Sequence, residues 1–172
     1  PIHEKMIEAA KQFAEDAHDG QRRRFEGRDY VEHPKEVAEL VQSVADPTDE
    51  MVAAALLHDV VEDTSVDLPE IEEEFGTEVA SLVFELTTDK EKRDEYGKAR
   101  YLGYKMAQMG EKALTLKLCD RYCNVRNIEE TPDEFCNRYS EETMETTDLL
   151  IEDRSQMTRT QRELASKIIK KV

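Results

Sequence analysis

The chain has 172 residues, 40 of them acidic against 24 basic, for a formal net charge of −16 with 37% of positions charged. That length suits one domain with its own core. The charge balance argues against nucleic acid, whose binders must neutralise phosphates with Lys and Arg, and against an anionic membrane surface. No apolar run approaches the ~20 residues that cross a bilayer, and no signal-peptide pattern opens the sequence. A soluble, cytoplasmic protein is therefore expected, and the three cysteines fit a reducing compartment because their odd number makes no disulfide framework.

Apolar positions follow helical spacing almost throughout, with no strand-period alternation, low-complexity segment or internal repeat. Met6, Ala9, Ala10, Phe13, Ala14 and Ala17 form a first stripe, ended by Gly20. A basic cluster follows, Arg22-Arg23-Arg24 with Arg28 close behind. It is either a solvated loop or a clamp for phosphate and base, and His33 a few residues downstream favours the clamp. Pro34 sits where a first-turn proline belongs, with Val37, Leu40, Val41 and Val44 behind it. Asp46-Pro47-Thr48-Asp49 ends that helix and caps the next, which is expected to run from Glu50 through Glu62.

Asp67 with Glu70 reads as a capping box for a short helix stopped by Gly76. Thr77 opens a helix carrying Val79, Leu82, Val83 and Leu86. Thr88 to Lys98 is so highly charged that a mobile connection is expected; Lys90, Lys98 and Arg100 in or near it are candidates to close over an anionic substrate. A helix with Leu102, Met106 and Met109 ends at Gly110, and Leu114, Leu116 and Leu118 lead into Asp120. Thr131-Pro132-Asp133-Glu134 combines an N-cap, a first-position proline and a capping box, predicting the start of a long helix. Past Arg154 a last amphipathic helix carries Leu164, Ile168 and Ile169. The expectation is an all-α helical bundle, a single domain over residues 1–172.

The chemistry concentrates on His33, the adjacent pair His58-Asp59, and Asp120. A helix interior has little structural use for two neighbouring ionisable groups, whereas imidazole nitrogen and carboxylate oxygen together hold transition metals well. On a helix His58 stands over Glu62 and Asp59 over Asp63, so the two carboxylates project beside any ion held there. Without a cation the three carboxylates repel one another, and the alternative is an exposed acidic helix end. Asn124 lies one turn beyond Asp120. His3 and His18 have no such context and are read as surface residues. Cys119 and Cys123 are read as small buried hydrophobes rather than ligands of a soft metal.

The strings His33-Pro34, Ala54 through Thr64 with its His58-Asp59-x-x-Glu62-Asp63-Thr64 core, Phe75-Gly76, and Lys117 through Asn124 resemble the HD hydrolase domain of RelA/SpoT proteins. Those enzymes remove the 3′-diphosphate from the alarmones ppGpp and pppGpp. The likeness runs from about Phe13 to Thr143, with no nucleotidyl-synthetase or regulatory region after it, and so points to the stand-alone small alarmone hydrolases. The resemblance implies an HD-type metal-dependent phosphohydrolase with His33, His58, Asp59 and Asp120 as ligands of one divalent ion, usually manganese. It assigns Glu62 and Asp63 to catalysis, and Asn124 and the Arg22, Arg23, Arg24 loop to the nucleotide. Thr143, which follows the long bifunctional enzymes, and Lys90 join the substrate-binding set. Two departures stand out: Asp29 replaces the proline that usually precedes the loop tyrosine, and Cys119 replaces the common alanine before the last metal Asp. Two other readings stay open, an HD phosphohydrolase for another nucleotide such as NADPH and a non-catalytic alarmone-binding module.

Overall fold

The computed structural model describes residues 2–172, with side chains from residue 4 onward, so His3 lies outside the described side chains. The described residues are all-α, with no strand beyond one isolated antiparallel bridge between Arg22 and Asp29. They divide into two compact units, Pro1–Thr87 and Thr88–Val172.

The first unit holds α1 (Ile2–Ala17), α2 (Glu32–Val44), α3 (Asp49–Leu57), α4 (Val60–Asp63), α5 (Leu68–Phe75) and α6 (Thr77–Leu86). Its centre is α3, where every residue from Met51 to Leu57 is buried. A helix apolar on all sides must be surrounded, and α1, α2 and α6 pack on it. The Thr48 hydroxyl accepts the Met51 N–H at the start of α3, and the Asp67–Glu70 capping box forms at the start of α5 as the sequence predicts. Gly76 takes φ +91 between α5 and α6, a left-handed conformation that side chains disfavour. Phe13 of α1 meets Phe75 of α5 edge-on, ring centroids 5.5 Å apart.

The second unit holds α7 (Lys90–Tyr96), α8 (Lys98–Gln108), α9 (Glu111–Val125), a 3-10 turn (Ile128–Glu130), α10 (Asp133–Asp153) and α11 (Arg159–Lys171). α8 packs on α10, and α9 on α11. The approach of α8 to α10 is close because Gly103 has no side chain: a Cβ there would sit 2.8 Å from that of Leu149. Arg154 donates to the carbonyls of Met106, Ala107 and Met109, covering the C-terminal end of α8 with positive charge.

Three local expectations change. The helix expected from Glu50 through Glu62 breaks after Leu57, and α4 starts afresh at Val60. The segment expected to be a mobile connection is instead helix α7: the Asp89 side chain accepts from the Lys92 N–H, and Gly97 at φ +87 ends the helix. It has no buried residue, and so carries none of the apolar spacing by which helices are read. Thr131 does not cap α10, because its hydroxyl donates to the Ile128 carbonyl at 2.6 Å; the residue preceding α10 is Pro132.

Candidate functional site

The break between α3 and α4 falls on the His-Asp pair. His58 Nδ1 lies 2.6 Å from the Ala55 carbonyl oxygen. A carbonyl only accepts, so the ring proton is on Nδ1 and the imidazole takes the carbonyl that a continuous helix would offer to the Asp59 N–H. Asp59 then turns to φ −102, ψ −1, the sparsely populated bridge region where many active-site residues sit. The Asp63 N–H bonds to the Asp59 carbonyl at 2.9 Å, starting the single turn of α4.

This local geometry fixes the chemistry of His58. With the proton on Nδ1, Nε2 carries a lone pair, and Asp59 Oδ2 lies 3.0 Å from it. Two electron-rich atoms at that distance need a positive centre between them, either a proton or a metal ion. A histidine whose Nδ1–H is held by a main-chain carbonyl is the usual form of a metal-ligating imidazole. His33, at the start of α2, is also buried; its ring meets that of His58 edge-on with centroids 5.5 Å apart, and each ring offers a nitrogen within 4.8 Å of the other's. Asp59, Glu62 and Asp63 likewise offer carboxylate oxygens within 4.8 Å of one another. Two imidazoles and a carboxylate cluster form a mixed nitrogen and oxygen donor set, which fits a divalent first-row transition ion.

The first unit thus brings together His33, His58, Asp59, Glu62 and Asp63. In the second unit Asp120 is buried in mid-α9, its Oδ2 3.0 Å from Lys117 Nζ, and Asn124 is half-buried one turn later. Thr143 on α10 is fully buried, and its hydroxyl accepts from Arg121, whose guanidinium lies 4.6 Å from the centre of the Tyr139 ring. Lys90, Lys98 and Arg100 are exposed. Cys119 and Cys123 are buried as expected of small hydrophobes; burial, reinforced by the charges of Cys123 and Asp120, pushes the Cys119 thiol up to about 12.

The arginine loop is internally paired. Arg22 meets Asp29 at 2.9 Å, so the acid standing in the proline's place draws on the first arginine of the cluster. Arg23 pairs with Glu26, and Arg28 with both Glu26 and Glu36. Arg24 lies over the exposed Phe25 ring, 5.1 Å from its centre.

Sequence reading missed His18, Gln21 and Tyr30. His18 is not a surface residue: it is 2% exposed and its ring lies 4.9 Å from that of Tyr30. Its signal was present, since Ala10, Ala14 and His18 continue one buried face at four-residue spacing. Burial lowers the His18 pKa, with the nearby His58 and His33 adding to the shift and the Gln21 hydrogen bond and Asp59 charge opposing it. The Tyr30 hydroxyl donates to Asp59 Oδ2 at 2.6 Å.

A family comparison matches the HD domain over residues 10–147, most of the chain. The chain belongs to the HD domain family. Among HD relatives, human guanosine-3′,5′-bis(diphosphate) 3′-pyrophosphohydrolase MESH1 is 39% identical over 126 residues, covering 72% of this chain and 69% of the relative. A guanosine-3′,5′-bis(diphosphate) 3′-pyrophosphohydrolase from Aquifex aeolicus is 36% identical over 148 residues, 84% of this chain. The chain spans only 21% of that longer relative, and 18% of a similar one from Synechocystis. A solved structure described as a metazoan ortholog of SpoT that hydrolyses ppGpp superposes with a TM-score of 0.81 at 27% identity, covering 96% of this chain and 94% of that one. The all-α arrangement is therefore the HD fold, and HD hydrolases bind divalent metal.

Proposed function

We propose that this HD protein hydrolyses the 3′-diphosphate of guanosine alarmones, converting ppGpp to GDP and pppGpp to GTP with release of pyrophosphate. The observation that carries the reading is His58 Nε2 facing Asp59 Oδ2 at 3.0 Å, with Glu62 and Asp63 clustered on Asp59. The names of the human and Aquifex relatives support the choice of substrate.

His33, His58, Asp59 and Asp120 are the proposed ligands of one divalent ion, for which Mn²⁺ is the proposed metal. Such an ion acidifies water and offsets phosphate charge. The bond broken joins the ribose O3′ to phosphorus, and the bond formed joins that phosphorus to a water oxygen. One of Glu62 and Asp63 orients the water and takes its proton; the other, protonated, delivers a proton to the departing O3′. Arg22, Arg23 and Arg24 would face the purine and its phosphates, because a planar guanidinium pairs with phosphate oxygens and stacks on a base. Asn124 and Lys90 would add contacts to the nucleotide, and Thr143 would contribute through the Arg121 it engages. On this reading the substrate is a small cytoplasmic nucleotide, with no role for nucleic acid. No helix among the described residues is long and apolar enough to cross a membrane.

The deciding experiment incubates purified protein with ppGpp and Mn²⁺, with and without EDTA, and resolves the products. GDP and pyrophosphate, lost on chelation, are expected. Intact ppGpp alongside orthophosphate released from NADPH would overturn the substrate assignment. A Glu62→Gln, Asp63→Asn double variant that still hydrolysed ppGpp would overturn the catalytic acids.

A further inference from the structure

α4 is four residues long, too short to hold its own shape. Asp59 immediately precedes it and Asp63 ends it, so both proposed site carboxylates depend on whatever fixes this turn. Two side chains from the connection between α1 and α2 reach it. Tyr30 donates its hydroxyl to Asp59 Oδ2 at 2.6 Å, and Gln21 donates its Nε2 to the main-chain carbonyl of Asp63 at 2.9 Å. The two are themselves joined, since the Tyr30 N–H bonds to the Gln21 carbonyl at 2.8 Å. His18 braces both: its Nδ1 lies 3.1 Å from Gln21 Oε1, and its ring packs on Tyr30. Because Gln21 Nε2 must donate to a carbonyl, Oε1 is left to accept, and His18 Nδ1 carries the proton.

We infer that the loop between α1 and α2 is a positioning clamp on the His58–Asp63 segment, with Tyr30 acting through the side chain of Asp59 and Gln21 through the main chain of Asp63. This rests on the reading of Asp59 as a metal ligand and Asp63 as a catalytic carboxylate. The two grips differ in consequence. Tyr30 holds a ligand oxygen, and partners of that kind are worth about 10- to 100-fold in metal affinity. Gln21 touches no ligand; it sets where the Asp63 carboxylate points, and misplacing a catalytic group by about 1 Å costs on the order of 100-fold in rate.

The test pairs two readouts on the full chain. Free Mn²⁺ is titrated by electron paramagnetic resonance, and kcat and KM for ppGpp are measured at saturating Mn²⁺, with circular dichroism for helix content. Tyr30→Phe is expected to weaken Mn²⁺ binding about tenfold. Gln21→Met is expected to keep Mn²⁺ affinity and KM within about twofold while kcat falls about 10- to 100-fold. Gln21→Glu, which keeps the shape and loses the donor, should match it and covers the case of a misfolded Met variant. Tyr30→Phe binding Mn²⁺ like the wild type, or Gln21 variants turning over at the wild-type kcat, overturns the clamp. Wild-type protein in the same assays tests the functional reading by itself: failure to bind Mn²⁺ or to release pyrophosphate overturns that reading, whereas the clamp stands or falls on the variants.

Discussion

At His58 a single side-chain hydrogen bond decides both local backbone and chemistry. Donation from Nδ1 to Ala55 ends α3 and leaves Nε2 facing Asp59. His18 shows the opposite use of burial, which here holds the ring neutral by lowering its pKa from the ordinary 6.5. Below about pH 6.5 the unfolded chain binds a proton at His18 that the folded chain refuses, so stability falls as pH drops from that value through the lower folded pKa. Urea midpoints at about pH 7.5 and 5.5 should therefore differ more for the wild type than for His18→Gln; equal differences would contradict the shift. Cys119 gives a second check. With its thiol pushed up to about 12 it stays protonated near neutrality, and thiolate is the reactive form. Native protein treated with iodoacetamide should be labelled at the half-buried Cys136 well before Cys119, as peptide mass mapping would reveal.

At the scale of elements, the contact of α8 with α10 is sensitive to volume. Gly103→Ala gains about 1 kcal/mol of helix propensity, but its methyl would lie 2.8 Å from Leu149 Cβ and 3.2 Å from the Thr146 carbonyl. Neither atom is the free end of a flexible chain, and overpacking of this kind costs roughly 1–3 kcal/mol. The net expectation is a loss of about 1 kcal/mol in urea unfolding, and a stabilised variant would contradict the packing. Capping shows how far sequence signals carry. Asp67-x-x-Glu70 and Thr158-x-x-Gln161 both form capping boxes, while the equally plausible Thr131 gives its hydroxyl to Ile128. A 3-10 turn just before α10 places that carbonyl within reach, which residue types alone do not disclose.

For the molecule as a whole, a net charge of −16 sets a background of self-repulsion. Screening relieves it, so the Tm should rise as NaCl goes from about 0.05 to 0.5 M; a fall would mean that attractive pairs dominate. A metal that binds only the folded chain adds to this: at about 100 times its Kd it stabilises by about 2.7 kcal/mol. For a protein of this size that is roughly 5–10 °C in Tm. Mn²⁺ should produce such a shift in differential scanning fluorimetry and EDTA should reverse it. No shift at millimolar Mn²⁺ would count against the metal site.

The all-α class, most helix positions and the His58-Asp59-x-x-Glu62-Asp63 constellation were legible in the chain, because apolar spacing, capping residues and ionisable pairs are local and the helix period converts them directly into faces. What tertiary structure decided is where a local rule met a competing partner. Helix α7 has no buried face to announce it, and Ala55 gives up its carbonyl to an imidazole and so breaks the expected long helix. His18 is buried against Tyr30, and Gln21 and Tyr30 reach the carboxylate turn from residues 42 and 29 positions away. Contacts across such separations depend on how α1 and α2 pack on α3, and no periodicity within either segment encodes them.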